Sequence, residues 1–300
     1  MPDRESTMSM DRLNLYTKRL KGFINQYKES KLGIIGFIIL SIFVFISVFA
    51  NHLSDYSIKA TEGDLSAQFK PPSYKHWLGT DDVGRDLFTQ IMYGGRISLL
   101  IGFLAAALSG GIGTLVGLIA GYFGGWREDI LMRITDIILV IPGLPLMIVL
   151  SALLGTSFWN IIFVISIIGW TGTARVVRAQ VLSLKERPFI ESVKAIGAGD
   201  LRIIGLHLLP NVFPLIVAQM VLRIGSAILA EASLSFLGLG DPMRVSWGMI
   251  LHWAFTTGAL FQNYWWFLVP PGICITLVVL GFTFVGYALD QIVNPRIRRR

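Results

Sequence analysis

Six stretches of this sequence are apolar over about the length that crosses a lipid bilayer, and no other feature limits the possible folds as much. They fall at residues 32–50, 97–123, 130–154, 158–172, 211–237 and 264–289. A helix needs roughly 17–25 mostly apolar residues to traverse the hydrocarbon layer. Composition agrees: 53% of residues are hydrophobic, only 15% are charged, and the mean hydropathy is +0.63. A soluble domain needs more charge than this to clothe its surface, so the outer surface is expected to meet lipid. The fold class expected is all-α: a polytopic membrane protein with six transmembrane helices.

The net charge of +7 is placed unevenly. Basic residues fill the N-terminal tail (Arg4, Arg12, Lys18, Arg19, Lys21, Lys28, Lys31), the turn at Arg127 and Arg133, the loop holding Arg175, Arg178, Lys185, Arg187, Lys194 and Arg202, and the C-terminal Arg296, Arg298, Arg299 and Arg300. With six spans these segments share one side. The long loop on the other side balances Lys59, Lys70, Lys75, Arg85 and Arg96 with Asp55, Glu62, Asp64, Asp81, Asp82 and Asp86. By the positive-inside rule both termini are cytoplasmic, in the cell membrane. This placement also argues against a nucleic-acid partner, and no small-residue cleavage site follows the first apolar run. The resulting division is a tail at 1–31, an anchor at 32–51, an extracytoplasmic loop with an amphipathic segment at 52–96, a five-helix core at 97–290 and a basic tail at 291–300.

Within the core, glycine and alanine recur along 97–123 at spacings that let helices approach closely in lipid. Pro142 and Pro145 predict a bend near residues 141–145, and Pro270 with Pro271 a bend early in the last span. The segment from 174 to 209 is far longer than a turn between helices requires. Pro188 suits a first helical turn, Glu191 favours the positive end of the helix, and Gly197 suits its end. Asp200 can cap a second helix starting at Leu201. Two short helices around a glycine turn make a projection suited to docking on another protein.

Glu191-Ser-Val-x-x-x-Gly197, with Pro210 in His207-Leu-Leu-Pro-Asn211, resembles the EAA loop of ATP-binding cassette (ABC) importer permeases, with Ser192 and Val193 in place of the usual alanines. The likeness extends to Leu78-Gly79-Thr80-Asp81-Asp82-Val83-Gly84-Arg85-Asp86, to Asp129-x-x-Met132-Arg133-x-x-Asp136 with Pro142, to Glu231-Ala-Ser-Leu-Ser-Phe-Leu-Gly-Leu-Gly240 and to Ser246-Trp-Gly248. These are similar to the dipeptide/oligopeptide branch, in particular to the permease with a single helix before the core. The stretch from Phe282 to Arg296 departs from that branch towards members associated with oligosaccharides.

The resemblance implies the type I ABC importer permease fold. It also implies a second homologous permease, two ABC ATPase subunits that bind ATP and Mg, and an extracytoplasmic substrate-binding protein. Pro188, Glu191, Ser192, Ala195, Gly197, Asp200 and Pro210 would then form the docking site for an ATPase subunit. The GTDDVGRD stretch itself reads as a capped turn leading into an amphipathic helix.

Four charges fall within the spans. Asp136 lies one turn beyond Arg133 and can pair with it. Arg223 and Glu231, eight residues or about 12 Å apart along one helix, are candidates for the pathway or its gating. No GxxxxGK[ST] phosphate loop is present, so no ATPase, cofactor or catalytic residue is expected in this chain. Cys274 reads as a packing residue, and His52, His76, His207 and His252 are too scattered for a metal or an intramembrane enzyme. Trp247, Trp253, Trp265 and Trp266 read as an aromatic belt at the membrane surface. The competing transport reading is a gradient-driven carrier or channel, which would not need the 174–209 projection.

Overall fold

The computed structural model describes residues 21–22, 24–53 and 63–293. The basic tails at 1–20 and 294–300, and Asp55, Lys59 and Glu62 of the first loop, lie outside the described residues. The chain is helical: α1 (Lys31–Val48), α2 (Leu87–Phe123), α3 (Gly125–Val140), α4 (Gly143–Leu154), α5 (Phe158–Lys185), α6 (Pro188–Ala195), α7 (Asp200–Leu239), α8 (Trp247–Thr256) and α9 (Trp265–Val293). Among the described residues there is no strand, only the isolated bridge between Thr80 and Asp86. Among the described residues five helices, α1, α2, α5, α7 and α9, are long and apolar enough to cross a membrane. The sixth expected span is broken: α3 and α4 meet at 91° across Ile141 and Pro142. Pro142 has no N–H to continue the ladder, and it holds the residue before it out of helical geometry, so the break falls where the prolines predict it.

Two boundaries differ from expectation. Among the described residues no separate amphipathic helix precedes the second span; α2 starts at Leu87 and runs for 37 residues, about 55 Å at 1.5 Å per residue. It is therefore longer than a hydrocarbon layer of about 30 Å requires. α5 likewise continues past Gly172 to Lys185, because nothing in that stretch breaks a helix. α9 is a single helix that includes Pro270 and Pro271 in its second turn.

The start of α2 is fixed by the acidic turn before it. Asp86 caps the helix, accepting from the Thr89 N–H at 2.9 Å and its hydroxyl at 2.8 Å, and it also meets His76 Nδ1 at 3.0 Å. Asp81 is fully buried and accepts from the N–H groups of Val83 and Arg85, from Arg85 Nε at 2.6 Å and from Gln90 Nε2 at 2.7 Å. Four donors on one carboxylate explain how a charge persists in a buried turn. Partial burial, with the charge of Asp81 beside it, pushes the Asp82 carboxyl above its ordinary range.

The most extensive helix contact among the described residues joins α2 to α5. Gly113, Gly117 and Gly121, four residues apart, bring the α2 backbone onto Trp170, Ala174, Val177 and Val181. A Cβ at Gly117 would lie 2.7 Å from the Ala174 carbonyl oxygen and from Val177 Cβ. α3 is held to the same helix by charge: Asp136 pairs with Arg175 at 2.5 Å and Glu128 with Arg178. The partner of Asp136 is thus on α5 rather than being Arg133, because α3 lies alongside that helix.

The tryptophans correct the belt reading. Trp247 is 1% exposed and donates Nε1–H to the Ile91 carbonyl at 2.9 Å, and Trp266 packs against Gly79. Trp253 lies under the Arg85 guanidinium, 4.9 Å away, so only Trp265 is largely exposed. The first of them opens α8, a helix absent from the sequence reading, which is capped by Ser246. Cys274 packs against the same core, as expected.

Two outcomes follow. Gly117→Leu should cost the purified protein about 1–3 kcal/mol by overpacking, seen as a lower melting temperature in detergent. Gly111→Leu on the same helix, where nothing lies within 4 Å, should leave it unchanged. Asp82→Asn should melt higher than the parent at pH 7, and that advantage should fade as pH falls through the raised pKa of Asp82, since the folded state disfavours only the ionised form.

Candidate coupling site and intramembrane charges

The projection between α5 and α7 is built from few choices. Pro188 occupies the first turn of α6, where its missing N–H costs nothing, and Glu191 follows in the same turn. The Ser192 hydroxyl donates back to the Pro188 carbonyl at 2.9 Å. After Ala195 the chain turns at Gly197, whose φ of +83° lies in the left-handed region that favours glycine. There the N–H of Gly197 donates to the Lys194 carbonyl and that of Ala198 to the Val193 carbonyl. Inward, Ile190, Ile203 and Leu208 are fully buried against Leu184, Val181 and Leu118. α6 is therefore fastened to the ends of α2, α5 and α7 by apolar packing.

Asp200 is placed differently from expectation. Gly199 is the cap, and Asp200 is the first residue of α7, with its carboxylate accepting from the Tyr122 hydroxyl at 2.6 Å. Tyr122 lies in the last turn of α2 and is 4% exposed. Its carbonyl accepts from Lys185 Nζ at 2.7 Å, and Lys194 Nζ stands 5.2 Å over its ring. One side chain thus ties the end of α2 to both arms of the projection. The sequence offered no signal for it, since a tyrosine closing an apolar run reads as an interfacial residue. The expected second short helix is instead the first turn of the long α7. A π-type turn at Ile204–Leu208 precedes Pro210, which lacks a donor for the regular ladder.

Pro188, Glu191, Ser192, Ala195, Gly197 and Asp200 are all exposed on this one projection, and Pro210 is exposed further along α7. Two large apolar side chains flank the glycine turn, Ile196 at 83% exposure and Leu201 at 85%.

The two charges of α7 have different surroundings. Glu231 is fully buried, accepting from the Ser98 hydroxyl of α2 at 3.1 Å and the Ser235 hydroxyl at 2.7 Å, while Ser98 Oγ accepts from the Trp247 N–H of α8. It sits at a junction of three helices and not on an open surface. Arg223 is half-buried, with its guanidinium against the backbone of Gly172 on α5.

Comparison with known proteins decides the family. The model of the binding-protein-dependent transport system inner membrane component matches residues 113–299. The chain belongs to that family. A second model, the N-terminal transmembrane domain of oligopeptide transport permease C, matches residues 19–72 of this permease. The dipeptide transport system permease protein DppC of Alkalihalophilus pseudofirmus is 42% identical to it over 275 residues, covering 91% of this chain and 88% of that one. The oligopeptide transport system permease protein OppC of Bacillus subtilis is 38% identical over 276 residues, covering 91% and 88%. A solved chain of the MetNI methionine ABC transporter, in inward-facing conformations, is 21% identical with a TM-score of 0.49, over 67% of this chain and 94% of that one.

The permease is thus a membrane component of an ABC importer and not an enzyme; in such systems a separate subunit hydrolyses ATP. At the junction of its α2, α7 and α8, Glu231→Ala should strand the Ser98 and Ser235 hydroxyls and cost about 1–3 kcal/mol, with Glu231→Gln milder. The melting temperature of the purified permease measures both.

Proposed function

We propose that this permease forms half of the translocation path of a peptide importer and takes up the work of ATP hydrolysis through α6. The observation that carries the reading is the exposed projection on a packed base, with Ile196 and Leu201 presented to solvent at its tip. Exposed apolar side chains on a well-packed base mark a surface that a partner covers. An ATPase subunit seated over Pro188, Glu191, Ser192, Ala195, Gly197 and Asp200 would move that projection. The buried Ile190 and the Tyr122 link would pass the motion to α2, α5 and α7, and tilting those spans would alternate access to a central path.

Two ATPase subunits carrying ATP and Mg, a second homologous permease and an extracytoplasmic substrate-binding protein complete the assembly. Peptide as substrate is supported by relatives described as dipeptide and oligopeptide permeases over nine-tenths of this chain. The departure between Phe282 and Arg296 keeps oligosaccharides as the second candidate. The charge distribution supports placing the projection and both termini in the cytoplasm. In this arrangement Glu231 holds the helices that move and does not touch the cargo.

The test is ATP-driven uptake of a labelled dipeptide into proteoliposomes bearing the whole importer. Glu191→Lys and Gly197→Leu should each lower uptake about tenfold or more, the equivalent of roughly 1.4 kcal/mol of docking, with membrane insertion intact. Normal uptake by both variants would refute the coupling role.

A further inference from the structure

Along α7, Gln219, Arg223, Ser226, Ala230 and Ser233 recur every three or four residues and so share one face. None of the five is fully buried. The Ser226 and Ser233 hydroxyls donate back to the Leu222 and Leu229 carbonyls, but lipid does not readily accept the Gln219 amide and the Arg223 guanidinium, so this face meets water or protein. Arg223 stands near the middle of the span. Among the described residues no carboxylate pairs with it: Glu231 is held by Ser98 and Ser235, Asp136 by Arg175 and Glu128 by Arg178.

A small cavity of about 50 Å³ opens at the guanidinium, walled by Ser109 of α2, Met147 of α4, Ile165 and Gly169 of α5, and Ser226 of α7. That is room for water and enough for a carboxylate. Two of its walls carry hydroxyls, and Gly169 and Gly172 leave the α5 side without bulk.

We propose that Arg223 receives the terminal carboxylate of the peptide as it passes through the bundle. This rests on the peptide-importer reading and adds to it a point of contact. A guanidinium presents its donors in a planar fork matched to a carboxylate. The terminal carboxylate is also the one anionic group that every peptide carries whatever its side chains, so a single arginine can serve a mixed cargo. The cavity is walled by four helices of this chain, which favours an occupant that enters end-on over an acidic side chain carried on a neighbouring helix. Contact must remain weak enough for release, as expected of a half-exposed charge with water nearby.

The test uses the complete importer in proteoliposomes, supplied at saturation with its binding protein loaded with either dialanine or dialanine C-terminal amide. Because both cargoes come from the same binding protein, a change in their uptake ratio between permease variants reports on the permease. Arg223→Gln should reduce the preference for the free acid about tenfold, Arg223→Lys should keep part of it, and both should assemble. An unchanged ratio in assembled Arg223→Gln overturns the proposal. Loss of assembly in Arg223→Gln but not in Arg223→Lys also overturns it, in favour of an acidic residue on the second permease. If the parent importer takes up neither dipeptide with ATP, the peptide reading itself falls and the inference with it.

Discussion

Backbone contact between α2 and α5 is the interaction on which the rest of the molecule depends. Lipid tails are as apolar as leucine, so burying greasy side chains does not draw helices together inside a bilayer. What remains is dispersion, and it needs close approach. Gly113, Gly117 and Gly121 supply it by leaving the α2 backbone against Ala174, Val177 and Val181. The stripe ends one residue before Tyr122, whose hydroxyl and carbonyl reach Asp200 and Lys185. This close seam therefore runs straight into the base of the projection.

The in-span charges divide along the same logic. Asp136 and Glu128 are absorbed in ion pairs that hold α3 to α5, and Glu231 is absorbed in hydroxyl contacts that hold α7 to α2. Each sits where two or three helices meet. Arg223 differs from these carboxylates, lying half-buried on a polar face of α7 beside a small cavity. Its position leaves room beside the guanidinium for an anionic group to come and go.

Much of this was legible from the chain, and the reasons are local. Proline has no N–H and fixes its own backbone, so Pro142 and Pro188 announced a break and a helix start that the structure shows in place. Gly197 likewise marked a turn that needs a positive φ. What was not legible depended on distant partners. Asp200 was expected to cap a helix, and it bonds to a tyrosine 78 residues away. Trp247 was expected at the membrane surface, but it is buried because the Ile91 carbonyl of α2 accepts its N–H. Asp136 chose Arg175 over the nearer Arg133 because the bend at Pro142 sets how α3 lies beside α5. The start of α2 was hidden by its own charges, which look like a loop until Asp81 and Asp86 are seen to be satisfied by donors within it.

The central claim is that the tip of this projection lies inside the cell beneath an ATPase subunit. Site-directed crosslinking tests it most directly, using Ile196→Cys in a chain whose only native cysteine, Cys274, has been replaced. In membranes carrying the assembled importer, a short bifunctional reagent should join residue 196 to the ATPase subunit and to no other component. Modification of residue 196 in intact cells by a thiol reagent that cannot cross the membrane would contradict the account.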